Sequence, residues 1–121
     1  MFSDLRRRNL TTFTLIWYCD MNYISNVEHE QAQLKIRESV NFIVSFTDAR
    51  ECEKYVEQVK DEQIILIISS RTISGDWLRH VHDVEQIVDI YVYNYYKAEE
   101  NENEKTLMQN YSKVNIISIK S

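Results

Sequence analysis

Glycine is almost missing from this chain: Gly75 is the only one in 121 residues. A GxGxxG dinucleotide turn or a GxxxxGK(S/T) phosphate loop needs several, because only a backbone without Cβ lets the chain close on a pyrophosphate; both are excluded. The GxSxG nucleophile elbow is absent as well. Long apolar runs are lacking, and no stretch approaches the ~20 residues needed to cross a bilayer. Near the N-terminus Arg6, Arg7 and Arg8 stand where a secretory signal places its apolar centre. The expectation is a soluble, cytoplasmic protein without a membrane partner. Cysteine is scarce: Cys19 ends an apolar run and Cys52 lies on the apolar side of a helical pattern, so both read as buried free thiols. A basic excess is also missing. The formal charge of -5 argues against a nucleic-acid partner, and the arginine triplet is too short to reverse it.

What the chain does contain is five short apolar runs: Phe13 to Cys19, Phe42 to Phe46, Ile64 to Ile68, Ile87 to Tyr93 and Val114 to Ile119. Polar stretches with helical periodicity separate them. Near-continuous β-branched runs mark strands covered on both faces, so the sheet is expected to be mainly parallel with helices on each side. Strand–helix alternation closes most economically as a three-layer, doubly wound α/β fold with five strands in the order 2-1-3-4-5, the flavodoxin or receiver arrangement. The alternative is half of a dinucleotide-binding fold with order 3-2-1, whose glycine-rich first turn is replaced here by Cys19-Asp20-Met21-Asn22-Tyr23. With 44% hydrophobic and 27% charged residues the chain reads as one globular domain over 13–121. Residues 1–12 form a polar lead-in, and the whole reads as part of a longer protein.

Helices are predicted in the intervening segments. Ala32, Ile36 and Val40 give one apolar stripe from about Val27 to Val40, with Leu34 off it. Cys52, Tyr55, Val56 and Val59 give another, opened by Asp48 with Glu51 three residues on, as in a capping box, and running to about Lys60. A third helix follows Ser74-Gly75-Asp76 and turns Trp77, Leu78 and Val81 inward; a fourth, shorter one uses Leu107, Met108 and Tyr111. The acidic run from Glu99 to Glu104 reads as a solvated loop rather than a cation site. His80 and His82 cannot chelate one ion, since residues two apart on a helix point about 200° from each other. One is expected at the core's edge and one in solvent, His29 is read as a surface residue, and no metal or cofactor is expected. If one more helix is missing after the fifth strand, Val114, Ile116, Ile117 and Ile119 should include a markedly exposed pair, and the domain should self-associate there.

In an open α/β sheet, ligands bind beyond the carboxyl ends of the strands. The residues there are Asp20 and Asn22, Asp48, then Ser69, Ser70, Arg71 and Thr72, then Asn94, and finally Lys120. Asp48 is accounted for as a cap, whereas Ser70, Arg71 and Thr72 bring hydroxyls and a guanidinium to a helix start, a combination suited to an anion. In position the set resembles the acidic pocket of response-regulator receiver domains, which hold acids after strand one, a phospho-accepting aspartate after strand three and a lysine after strand five. Asp20 and Lys120 match that pattern. Ser69 or Ser70 replaces the acceptor and one acid of the pair is missing, so the resemblance implies a pseudo-receiver without an acyl-phosphate.

A second resemblance rests on Phe13-Thr14-Leu15-Ile16-Trp17, on the stretch from Asp61-Glu62-Gln63 through Ile68-Ser69-Ser70, and on His82-Asp83-Val84-Glu85-Gln86 followed by Ile87 to Tyr93. These segments resemble an uncharacterised α/β domain of multidomain invertebrate proteins, notably of rotifers, often placed ahead of tetratricopeptide repeats or an arginine-specific mono-ADP-ribosyltransferase domain. Those domains usually carry a glycine after the strand-three serine, where this chain has Ser70 and Arg71. The resemblance implies an accessory module and transfers no catalytic residue. The functional expectation is a non-catalytic recognition domain that binds a protein partner or downstream domains of its own chain. Eight tyrosines and two tryptophans, with Tyr95 and Tyr96 placed after a strand, favour an interface. The alternatives are a ligand- or phosphate-sensing pseudo-receiver and an accessory domain of an ADP-ribosyltransferase.

Overall fold

The computed structural model describes residues 13–20, 25–40, 42–69, 75–96 and 109–120. Its elements are β1 (Phe13–Tyr18), α1 (Asn26–Ser39), β2 (Val44–Phe46), α2 (Ala49–Gln58), β3 (Gln63–Ser69), α3 (Gly75–His82), β4 (Ile87–Tyr96) and β5 (Val114–Lys120). All neighbouring strands pair in parallel, in the order β2-β1-β3-β4-β5. The doubly wound α/β architecture read from the five apolar runs is therefore the one observed.

Which helix covers which face follows from the handedness of parallel crossovers. The step from β1 to β2 moves outward, while the step from β2 to β3 moves back across β1, so crossovers of one hand put α1 and α2 on opposite faces. The step from β3 to β4 continues in the second direction and puts α3 beside α2. Packing agrees with this. Ala32 and Ile36 of α1, with Val40 at its C-cap, bury against Leu15, Trp17, Ile65, Ile67 and Tyr91 on one face. On the other face Cys52 and Val56 of α2, with Leu78 and Val81 of α3, bury against Ile16, Leu66, Ile68 and Ile90. The two thiols thus lie on opposite faces of the sheet, both buried and both free.

β3 is central, and every residue from Ile64 to Ser69 is buried, which explains its unbroken apolar run. β4 carries an irregularity that its sequence conceals. Ile64 pairs with Ile87 and Ile65 with Asp89, so Val88 is an extra residue. The bulge shifts the alternation, letting both Ile87 and Ile90 face α2 and α3 while Asp89 is only half-buried.

The helix starts obey local chemistry. Ser25 caps α1 by accepting from the Glu28 N–H at 3.2 Å. Asp48 caps α2 more strongly, its Oδ1 accepting from the N–H groups of Arg50 at 2.8 Å and Glu51 at 3.1 Å. α3 begins at Gly75 and buries Leu78 and Val81, with Trp77 half-buried, as its spacing predicts. Of the expected fourth helix, Leu107 and Met108 lie outside the described residues; Gln109 and Asn110 are helical and Tyr111 packs on the α2–α3 face.

Two expectations need correction. Tyr95 and Tyr96 do not follow a strand but belong to β4, which runs to Tyr96. The markedly exposed pair on the last strand is not found among the described side chains. Val114 is buried, Ile116 and Ile117 are half-buried, and they pack on opposite faces; the Ile119 side chain lies outside the description. Ile116 and Tyr111 pack against the α2–α3 face, and Ile117 pairs with the buried Tyr93 and packs against the α1 face.

Candidate functional site at the carboxyl ends of the strands

Register fixes which residues meet at the carboxyl end of the sheet. Tyr18 pairs with Ile68, Ser69 with Tyr93, and Tyr93 with Ile117. The row beyond Tyr18 therefore reads Cys19, Ser69, Tyr93, Ile117, and the Cys19 N–H donates to the Phe46 carbonyl at 2.9 Å to join β2 to it. Ser69 is buried in this row and Asp20 is half-buried just past it. Asn94 pairs with Ser118, one residue further out, and Lys120 pairs with Tyr96, three residues further. At about 3.3 Å per residue the Lys120 backbone stands about 10 Å beyond the Ser69 row. Ser70, Arg71, Thr72 and Asn22 lie outside the described residues. Asp48 is engaged in its cap, as its spacing to Glu51 predicts.

The most organised chemistry in this row was not anticipated. The Trp17 indole N–H donates to the Tyr93 hydroxyl at 3.0 Å, a buried bond between residues 76 apart in sequence. Tyr93 also hydrogen-bonds Cys19. His29 of α1 stacks on Trp17, with centroids 4.8 Å apart and planes inclined 10°, and its Nδ1 lies 3.5 Å from the Cys19 sulfur. His29 is thus half-buried on an aromatic face rather than a surface residue, because it falls on the side of α1 that meets Trp17. Nothing local in the sequence announces this cluster; it depends on the pairing register of β1, β3 and β4 and on the roll of α1.

Burial disfavours the ionised forms of Cys19 and Tyr93. Burial pushes the Cys19 thiol up from its ordinary value of 9.0, with Asp20 and Glu28 adding to the effect and the Tyr93 hydrogen bond opposing it. Burial likewise pushes the Tyr93 phenol up strongly. Tyr18 on the opposite face rises to about 12, first through burial and then through Asp20, Cys52, Asp48 and Cys19. A sulfur nucleophile reacts as the thiolate, and this environment opposes thiolate formation at Cys19. The cluster is built as a packed polar plug at the strand ends.

The histidines of α3 behave as their spacing predicts. His80 is exposed, while His82 sits at the core's edge with its ring edge-on to Tyr111 at 5.2 Å. Lys113 donates to the His82 and Val84 carbonyls at 2.6 and 3.0 Å and so caps the end of α3. Among the described residues no group of three or more His, Cys, Asp or Glu side chains is arranged to hold a metal ion, and no helix is long and apolar enough to cross a membrane.

Comparison with known proteins adds to the fold alone. No family model matches the chain, and no curated protein does. Among solved structures, the chain is similar to a lysine decarboxylase from Francisella novicida, with a TM-score of 0.59 and 9% sequence identity. The match covers 89% of this chain and 15% of that one, so the likeness is to a small part of a much longer protein. At that identity the likeness is one of fold alone.

Proposed function

We propose that this domain is a non-catalytic recognition module that docks on a protein partner, either a separate protein or another domain of its own chain. The observation that carries this reading is three exposed large apolar side chains in α1 and just after it: Val27, Leu34 and Phe42 are 60%, 65% and 77% exposed. Val27 and Leu34, seven residues apart, share one outward line of the helix, and Phe42 follows just past its end. Large apolar side chains grouped outside a well-filled core mark interaction surfaces. The neutral, packed state of Cys19 and Tyr93 at the strand ends supports the same reading over a cleft enzyme. The resemblance to accessory domains of multidomain invertebrate proteins fits it too.

A photo-crosslinking residue at position 34 tests the proposal in cells. It is expected to capture the same single protein, or the same site within a longer parent chain, as one placed at Phe42, while one at Lys54 on α2 captures neither. Val27→Asp with Leu34→Asp should abolish capture at Phe42 without lowering the melting temperature. Crosslinks that are equal at all three positions overturn the reading. So does a saturable response of the Asp20 and Ser69 amides to inorganic phosphate, or a gain of one phosphoryl group from acetyl phosphate and magnesium, either of which points instead to the pseudo-receiver alternative.

A further inference from the structure

Between α2 and α3, on the face opposite α1, lies a cavity of about 70 Å³. Its floor is apolar and buried, made by Cys52, Val56 and Val81. Its α2 wall is acidic. Glu53 and Glu57 stand one turn apart on the same side of the helix, and Glu57 is exposed at the rim. The α3 wall carries the half-buried Trp77 ring and the exposed His80. Among the described residues no lysine or arginine lines the cavity.

Size and charge together restrict what fits. The volume is roughly half the ~150 Å³ of an apolar protein cavity that admits benzene, which suits one aliphatic side chain or a short alkyl stem. Anchors of this kind, seated in a desolvated pocket, dominate protein–protein contacts. The paired carboxylates favour basic residues beside that anchor and oppose acidic ones. A second copy of this chain is a poor occupant, since each copy carries a formal charge of -5.

We propose that the α2–α3 groove binds a basic amphipathic helical segment of a partner protein, which inserts one leucine-sized side chain onto Cys52, Val56 and Val81 and sets Lys or Arg against Glu53 and Glu57. This rests on the recognition reading above but assigns a different surface. A helical segment presents such residues at spacings of three and four, matching the one-turn separation of the two glutamates.

The test uses a 14-residue amphipathic peptide of leucine and lysine, with a leucine and glutamate counterpart, titrated into the full chain and followed by amide and indole chemical shifts. Saturable 1:1 binding of the lysine peptide is expected, with the largest shifts at Cys52, Val56, Trp77, Val81 and Val84. Glu53→Lys with Glu57→Lys should weaken it at least tenfold, whereas Glu30→Lys on α1 should change it less than twofold. Conversely, His80→Glu should tighten it threefold or more, and this gain cannot arise from misfolding. Absence of saturable binding, equal binding of the glutamate peptide, or an equal loss in Glu30→Lys overturns the proposal. Shifts centred on Leu34 and Phe42 also overturn it, while leaving the α1 recognition surface standing.

Discussion

Cys52 is held between Val56 and Val81 with almost no access to water, and burial, aided by Glu53, pushes its thiol from 9.0 to about 12. Cys19 is pushed up as well, by burial and then by Asp20 and Glu28. The consequence for stability follows from linkage. Above pH 9 the unfolded chain releases both thiol protons while the folded chain keeps them, so unfolding is favoured increasingly as pH rises. The contribution is fully present below the unfolded-state value and is lost as pH climbs towards the folded one. Each group that stays protonated only when folded contributes a slope of about 1.4 kcal/mol per pH unit. Urea unfolding between pH 8 and pH 10 is therefore expected to show steeply falling stability from pH 9 upward. Cys52→Ala should lower stability at pH 8 through the lost packing yet flatten the alkaline slope by about one proton. An unchanged slope in the variant would show that Cys52 ionises as freely folded as unfolded.

At the scale of elements, the two cap geometries differ in a way that a titration of stability can resolve. Asp48 Oδ1 accepts two backbone N–H groups at 2.8 and 3.1 Å, while Ser25 accepts one at 3.2 Å. Asp48→Ala is expected to cost about 1–2 kcal/mol and Ser25→Ala about 0.5–1 kcal/mol, both by chemical denaturation. Equal losses would mean that the second bond to Asp48 contributes nothing. The Asp48 cap was legible in advance because Asp48, Glu51 and the Cys52, Tyr55, Val56 stripe are all local. So were the strands, whose apolar runs require no partner to be recognised. The bulge at Val88 was not legible: Ile87 and Ile90 share a face only because Asp89 pairs with Ile65, which is a fact about β3. The contact between Trp17 and Tyr93, and with it the setting of Cys19, was hidden for the same reason, since a spacing of 76 residues has no periodicity to read. Of the strand-end set, Asp20 and Ser69 are brought into neighbouring rows, while Lys120 was expected in the same crevice and its backbone is set three residues out along β5.

Taken as a whole, the sheet is graded from centre to edge, and that gradient sets where the molecule opens. β3 is paired on both sides and buried from Ile64 to Ser69, and β1 and β4 flank it. β2 is an edge strand of three residues, none of them fully buried, with Ser45 exposed. Opening β2 exposes little apolar area and breaks few backbone bonds, whereas exposing Leu66 requires α2 and α3 to leave the sheet and exposing Ile65 and Ile67 requires α1 to leave it. Amide exchange should reflect this. The amides of Ile65, Leu66 and Ile67 are expected to exchange only through global unfolding, with the full denaturant dependence measured by urea. The amides of β2 should exchange through local opening, orders of magnitude faster and with little denaturant dependence. The difference bears on function, because β2 follows directly on Phe42 and the end of α1, where the partner surface is proposed. A partner that covers Leu34 and Phe42 should slow exchange at Val44 to Phe46 by closing the local opening, and should slow Leu66 only by the factor with which binding stabilises the folded state against global unfolding. Uniform protection of β2 and β3 in the free domain would mean that the sheet opens as one unit, and that this edge is held as firmly as the centre before any partner arrives.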